Sequence, residues 1–378
     1  MMRVMLLLKT NEGGMWILPQ IAELRRRGFI VTAVLPSGKG RLRCALDDAG
    51  VPVEDSPFEF SFRPSIGSLQ GLLKLRHLIR KIKPDILFYH LYASALAARL
   101  SSLGLSVHRV HMVAGPLYLD SPGIRLVERV MSRLDHQIIA GSAHTASRYR
   151  ELDVPSHRLS TIPYGVDLVR FGRGEDCREK LFGCGPNTFV AIMVAYVYPP
   201  KTSVYPGIGI KGHDVLLNAW AQICTKFSDV LLVLVGGGFG ADGEIHRQWL
   251  MTKFALPLDP RVIWLDSVDD VRPMYSSADL SVSPSLSENH GAALEASAMS
   301  VPSIVSDAGG LPETVTPNSG WVVRAGDQMA LENAIVCAIN LYLTGELATM
   351  GLAARTHAEN NFSSDICTRK VADIIEAV

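Results

Sequence analysis

The sequence predicts an α/β protein built as two Rossmann-like domains facing each other across a cleft. Apolar, strand-like runs alternate with amphipathic segments of helix length, the pattern of a parallel sheet covered on both faces. The alternation occurs twice, in halves of about 180 residues. A length of 378 residues is also generous for one core and ordinary for two.

The elements follow in order. Residues 3–8 read as a first buried strand and 15–27 as the next helix, closed by Gly28. Strands are expected over 29–35, 84–90, 107–113 and 136–140, with an Ala-rich helix over 93–103. Tyr164-Gly165-Val166-Asp167 closes the first half. Strands over 189–194, 230–235, 261–265, 278–282 and 303–305 build the second half, with a tail helix over 364–378. The expected domains are 1–170, 171–360 and a helix, 361–378, returning to the first domain.

Composition narrows the function. Apolar residues make up 48%, so the chain is globular. Lys+Arg and Asp+Glu are both 37, which argues against nucleic acid as a partner. The six cysteines are scattered without zinc-ligand spacing, as expected for a reduced, cytoplasmic protein with no metal. Leu72–Lys83 is basic and amphipathic. It reads either as a helix on the sheet with solvated cations, or as a weak peripheral contact with the inner face of a membrane. Oligomeric state is left open.

The most informative stretch is 285–314, Ser-Leu-Ser-Glu-Asn-His-Gly-Ala-Ala-Leu-Glu-Ala-Ser-Ala-Met and onward. It reads as strand, polar loop, then a short helix from about Ala292 to Ser300. A helix start aims unpaired N–H groups and a positive dipole end at the sheet edge, where an anion is stabilised. Glu288 and Glu295 flank that position, and carboxylates suit hydroxyls on either side of a phosphate. The combination points to a nucleotide-sugar.

This stretch resembles the signature of the retaining glycosyltransferases of family four, which have the GT-B architecture. Gly13-Gly14, Thr161–Asp167, Lys211-Gly212-His213, Val233–Gly238 and Arg261–Val268 are similar to further family segments, in the same order over about 300 residues. Two departures stand out. Six residues, 289–294, separate Glu288 from Glu295 where the family has seven, a deficit that would rotate Glu288 by about one helical step. Where the family has Gly-Arg after the first strand of the second domain, this chain has Ala195-Tyr196 and an insertion, Val197–Ile210, carrying Lys201.

The resemblance implies the following roles. Glu295 accepts from the donor ribose hydroxyls, or else merely satisfies its own helix dipole. Glu288 holds the donor sugar. Lys211 neutralises the departing diphosphate, with Lys201 as the second cation, or as an idle loop lysine. Asn289, His290, Gly291, Ala292 and Ala293 meet the donor, the small residues permitting close backbone approach. Gly13 and Gly14 reach the phosphate from the first domain, or form a plain turn. Gly236 and Gly237 lie beside the donor, and Ser267 and Val268 beside its base. Gly236, Gly238 and Ala241 also fit a dinucleotide fingerprint, weak in mid-chain. His90, Tyr92, His111 and Tyr118 are candidate acceptor residues near strand ends, though a lone histidine is often structural. The implied activity is metal-independent, retaining transfer from a nucleoside-diphosphate sugar co-substrate to a hydroxyl acceptor, with no cofactor. A nucleotide-sugar epimerase or hydrolase, and a non-catalytic binding module, are the alternatives.

Overall fold

In a computed structural model of the chain, the structure describes residues 1–60, 65–200 and 208–378. The described residues form two compact units, Met1–Tyr164 with Ser364–Val378, and Gly165–Ser363.

The first unit holds seven parallel strands: β1 (Arg3–Leu7), β2 (Ile30–Leu35), β3 (Val53–Asp55), β4 (Ile86–His90), β5 (His108–Val113), β6 (Gln137–Ala140) and β7 (Leu159–Thr161). Their order is β3-β2-β1-β4-β5-β6-β7. Strand β1 is apolar at every buried position because both faces are covered. Val4 and Leu6 join one core with helices Ile17–Arg26, Arg41–Asp48 and Ser364–Glu376. Met5 and Leu7 join the other, with helices Ile66–Ile82 and Leu91–Ser101. That period of two is the pleat at work. The returning helix Ser364–Glu376 inserts Cys367, Val371, Ala372 and Ile375 into the first core.

The second unit holds six more: β8 (Phe189–Val194), β9 (Val230–Val235), β10 (Val262–Leu265), β11 (Leu280–Ser283), β12 (Ser303–Ser306) and β13 (Gly320–Val323). They are parallel in the order β10-β9-β8-β11-β12-β13. Both sheets therefore share the doubly-wound Rossmann order. Each reverses direction of winding beside its first strand, between β1 and β4 and between β8 and β11. Loops at the C-terminal ends of those strands diverge and leave a crevice for a ligand. Helix Gly291–Ala298 follows β11 and starts in that crevice.

Ile375 is completely buried. Ile375→Ala is expected to lower the unfolding free energy by roughly 2–5 kcal/mol. The readout is a lower denaturant midpoint for the first unit, and an unchanged midpoint would contradict the packing of the tail helix.

Candidate functional site

In the second unit, the loop after β8 and the loop after β11 bring Lys211 and Glu288 together as an ion pair. Both side chains are partly buried. Two glycines make the approach possible. Gly212 has φ +77°, and a Cβ there would lie 2.2 Å from the carbonyl oxygen of Pro284. Gly309, φ +61°, would put a Cβ 1.9 Å from the carbonyl oxygen of Glu288, which accepts from the Gly310 N–H at 3.1 Å. The backbone on each side of Glu288 is thus clamped.

Glu288 lies in the loop, before the helix begins at Gly291. The shortened spacing to Glu295 therefore trims a loop, and the expected rotation of Glu288 about a helix axis does not occur. The Glu288 carboxylate accepts from the Asn289 N–H at 3.1 Å in addition to Lys211. The ring of Tyr198 lies 6.0 Å from the Lys211 ammonium, within cation–π range.

Glu295 sits in the first turns of the helix, partly buried. Among the described residues its carboxylate has no hydrogen-bond or ion-pair partner. Burial pushes its pKa up to about 7, against a smaller opposing pull from Arg170. A largely desolvated carboxylate without a donor keeps unused acceptor capacity. Just before the helix, His290 is buried with no hydrogen bond to either ring nitrogen. Its Nε2 lies 3.7 Å from a Glu313 oxygen, and its ring meets Phe362 edge-on at 5.1 Å. Ala292 and Ala293 occupy the first turn, whose N–H groups have no intrahelical acceptor.

The Gly236–Gly240 loop lies against the strand end at Ala195–Val197, with the Val197 N–H donating to the Gly237 carbonyl at 3.0 Å. Gly237 N–H donates to Ser267 Oγ at 3.3 Å, so Gly236, Gly237 and Ser267 do come together. Val268 is partly buried in an adjoining core. The dinucleotide fingerprint does not hold. Gly238 N–H is taken by Glu244 Oε2 at 3.0 Å, and a Cβ on Gly238 would meet the Glu244 backbone at 2.1 Å, so this glycine serves helix packing. Lys201 lies outside the described residues.

In the first unit, Gly13 is exposed and Gly14, φ +93°, turns the chain from β1 into its helix. His90 ends β4 but is completely buried between Trp16, Phe88 and Tyr164, and burial pushes its pKa down to about 3. His111 is also completely buried, beside Arg99 at 3.1 Å. Burial, then the Arg99 charge, holds it well below its ordinary value. Neither histidine presents an edge to solvent, which corrects their expected place in an acceptor site. Tyr92 and Tyr118 are partly exposed and stack at 4.6 Å.

Beneath them lies a network that sequence reasoning missed. Arg99, completely buried, bonds Glu128 at 2.6 and 3.0 Å and Asp135 at 3.0 and 3.1 Å. Tyr89 donates to Asp135 and Tyr149 to Glu128, while Tyr118 and Tyr149 share a hydroxyl contact at 2.6 Å. Burial opposes the Arg99 charge, but Asp135 and Glu128 outweigh it and keep the guanidinium protonated. The one available signal was an arginine inside an Ala-rich helix.

Among the described residues, no group of three His, Cys, Asp or Glu is placed to hold a metal ion. Among the described residues, no single helix is long and apolar enough to cross a membrane.

Two family models match in succession: Glycosyltransferase Family 4 over residues 17–170, and Glycosyl transferases group 1 over 203–340. An Escherichia coli UDP-Gal:alpha-D-GlcNAc-diphosphoundecaprenol alpha-1,3-galactosyltransferase is 28% identical over 72% of this chain and 70% of its own length. A GDP-mannose-dependent monoacylated alpha-(1-6)-phosphatidylinositol monomannoside mannosyltransferase from Corynebacterium glutamicum is 25% identical over 62% of this chain and 61% of its own. The chain thus matches less than two thirds of that second relative. Anabaena HepE, crystallised in complex with UDP, superposes with a TM-score of 0.80 at 22% identity, covering 100% of both chains, a likeness of fold. The chain belongs to the group 1, family four glycosyltransferases, and its fold is of the GT-B class.

Because Glu295 holds its proton more tightly when folded (about 7 against 4.5), the native state binds more protons than the unfolded chain between those values. Its contribution therefore lowers stability as pH rises from about 4.5 to about 7, and levels off above. Glu295→Gln should remove that slope, so its melting-temperature advantage over wild type grows across the same window. A pH-independent difference would place Glu295 in solvent.

Proposed function

We propose that the chain moves a sugar, with retention at the anomeric carbon and without a metal ion, from a UDP- or GDP-type nucleoside-diphosphate sugar to a hydroxyl of a glycan, glycolipid or small natural-product acceptor. The observation that carries this is the second unit's crevice. There a Lys211–Glu288 ion pair lies just before the open start of helix Gly291–Ala298, which carries Glu295, at the winding reversal of a Rossmann sheet. The named relatives use UDP-galactose and GDP-mannose, and HepE holds UDP, which supports a nucleotide-sugar donor.

In this reading the diphosphate lies at the first turn, over Ala292 and Ala293. It draws Lys211 away from Glu288, and Glu288 is released to accept from the sugar hydroxyls. Glu295, ionised, accepts from the ribose, a charge-assisted contact worth roughly 1.5–3 kcal/mol. The Gly236–Gly240 loop, Ser267 and Val268 adjoin the base. The bond from the anomeric carbon to phosphate breaks as the bond to the acceptor oxygen forms on the same face. The departing phosphate takes the acceptor proton, so no side-chain base is required, and Lys211 stabilises the charge that develops. Tyr92 and Tyr118 offer a stacked aromatic edge to the acceptor in the first unit. The six free cysteines fit a reducing, cytoplasmic setting.

Titration calorimetry with a panel of UDP- and GDP-sugars should find one bound tightly, with Lys211→Met and Glu295→Gln each weakening it roughly 10- to 100-fold. Nucleoside diphosphate should appear only when acceptor is present. Its release without acceptor would favour an epimerase or hydrolase, and binding without turnover a non-catalytic module.

A further inference from the structure

Lys211 stands on a loop, and a long side chain on a loop needs a fixed backbone beneath it. The chain reaches this lysine through the insertion Val197–Ile210, so the end of β8 does not by itself set where it stands. Contacts made by the turn itself do. Gly212 N–H donates to the Gly209 carbonyl at 2.8 Å, which puts Lys211 at the third position of a four-residue turn. Leu286 N–H donates to the Ile210 carbonyl at 2.7 Å and ties the turn to the loop that carries Glu288. The entry to the turn is held by a side chain instead. Gly209 N–H donates to Asp214 Oδ2 at 3.1 Å, out of solvent.

An aspartate in the first turn of a helix ordinarily serves that helix's own free N–H groups. Asp214, in the first turn of His213–Lys226, reaches back past Gly212 to the loop. It is buried, and its Oδ1 has no hydrogen-bond partner among the described residues. Burying a carboxylate so sparsely bonded is unfavourable, and an apolar residue would pack there more cheaply. What the carboxylate supplies is the position of Gly209. His246, from helix Gly240–Lys253, closes in behind it. The histidine is buried, its Nε2 is 3.6 Å from Asp214 Oδ2, and a Cβ on Gly209 would lie 3.1 Å from that nitrogen. Its ring stacks on Trp249 at 5.4 Å, which leaves the carboxylate little room to turn from Gly209. On the other flank His213 stacks on Trp264 at 5.5 Å, and the Trp264 indole N–H donates to the Gly236 carbonyl at 3.0 Å. The residues that follow Lys211 are thus anchored to two neighbouring elements.

We propose that Asp214, backed by His246, is a positioning residue for Lys211: it touches no substrate and fixes the turn that presents the ammonium. Its part in the reaction rests on Lys211 being the cation of the diphosphate, while its hold on the lysine is tested separately. The full chain is labelled with N-hydroxysuccinimide acetate, and modification of each lysine is followed by mass spectrometry. Lys211 should react roughly fivefold faster in Asp214→Ala as its pairing with Glu288 loosens, with Lys226 and Lys253 unchanged. Asp214→Asn, whose amide oxygen still accepts from Gly209, should stay within about twofold of wild type. His246→Ala should speed Lys211 by a smaller factor, and it decides the matter where Asp214→Ala does not fold. In calorimetry with UDP and with GDP, Asp214→Ala should weaken binding roughly tenfold and Asp214→Asn much less. Added to Lys211→Met, Asp214→Ala should bring no further loss, because it acts through the lysine. Losses that add, or Lys211 labelling at the wild-type rate in Asp214→Ala and His246→Ala, would overturn the proposal. Should Lys211→Met leave UDP and GDP affinity intact while Asp214→Ala still speeds Lys211 labelling, the donor role of Lys211 fails and the positioning role stands.

Discussion

The second unit of this protein depends on close backbone approach at the end of β11. Gly212 lies against the Pro284 carbonyl and Gly309 against that of Glu288. Neither contact admits a Cβ, and both glycines hold positive φ. Between these clamps the short loop from Pro284 to His290 has little freedom. Its constraint sets Glu288 against Lys211 and starts the next helix at Gly291. Sheet winding supplies the crevice, and glycine contacts supply its shape.

The proposed donor site holds charges of two kinds. Lys211 and Glu288 satisfy each other, so neither charge stands desolvated and alone. Glu295, a few residues along, has no such partner, and its raised pKa records the cost. In the proposed reading, a ligand carrying both a diphosphate and hydroxyl groups answers each of these in turn. It offers Lys211 a stronger anion, and both carboxylates a set of donors. A phosphate alone would leave Glu295 as it is, and a free sugar would leave the lysine paired. The first unit uses buried charge differently. Arg99, Glu128 and Asp135 are closed within the core, where hydroxyls of Tyr89 and Tyr149 complete their bonding and tie β4 to helices Leu91–Ser101, Pro122–Met131 and Ala143–Arg150.

Much of the fold was legible because a doubly covered parallel sheet needs near-continuous apolar strands, and the runs at 3–8, 189–194 and 230–235 are of that kind. The strands the sequence reading omits are short and lie at sheet edges. Val53–Asp55 carries two acids, Leu159–Thr161 two hydroxyls, and Gly320–Val323 is partly exposed. For them, pairing with a neighbour outweighs weak local preference. In the proposed site, the helix start near Ala292 was readable from local pattern, and resemblance singled out Lys211, which the structure pairs with Glu288. The Glu288 spacing misled because loop and helix cannot be told apart by counting residues. His90 and His111 misled for another reason. Position near a strand end says nothing about whether neighbouring side chains close over it, and here Trp16, Tyr164 and the Arg99 network do. The network itself joins residues 99, 128 and 135, which no periodicity links.

The most direct test is a crystal structure of the full chain with a nucleoside-diphosphate sugar bound. The account predicts the diphosphate at the Ala292–Ala293 end of the helix, the ribose hydroxyls on Glu295, and Lys211 transferred from Glu288 to phosphate oxygen. A donor bound elsewhere, with the Lys211–Glu288 pair intact and Glu295 untouched, would contradict it.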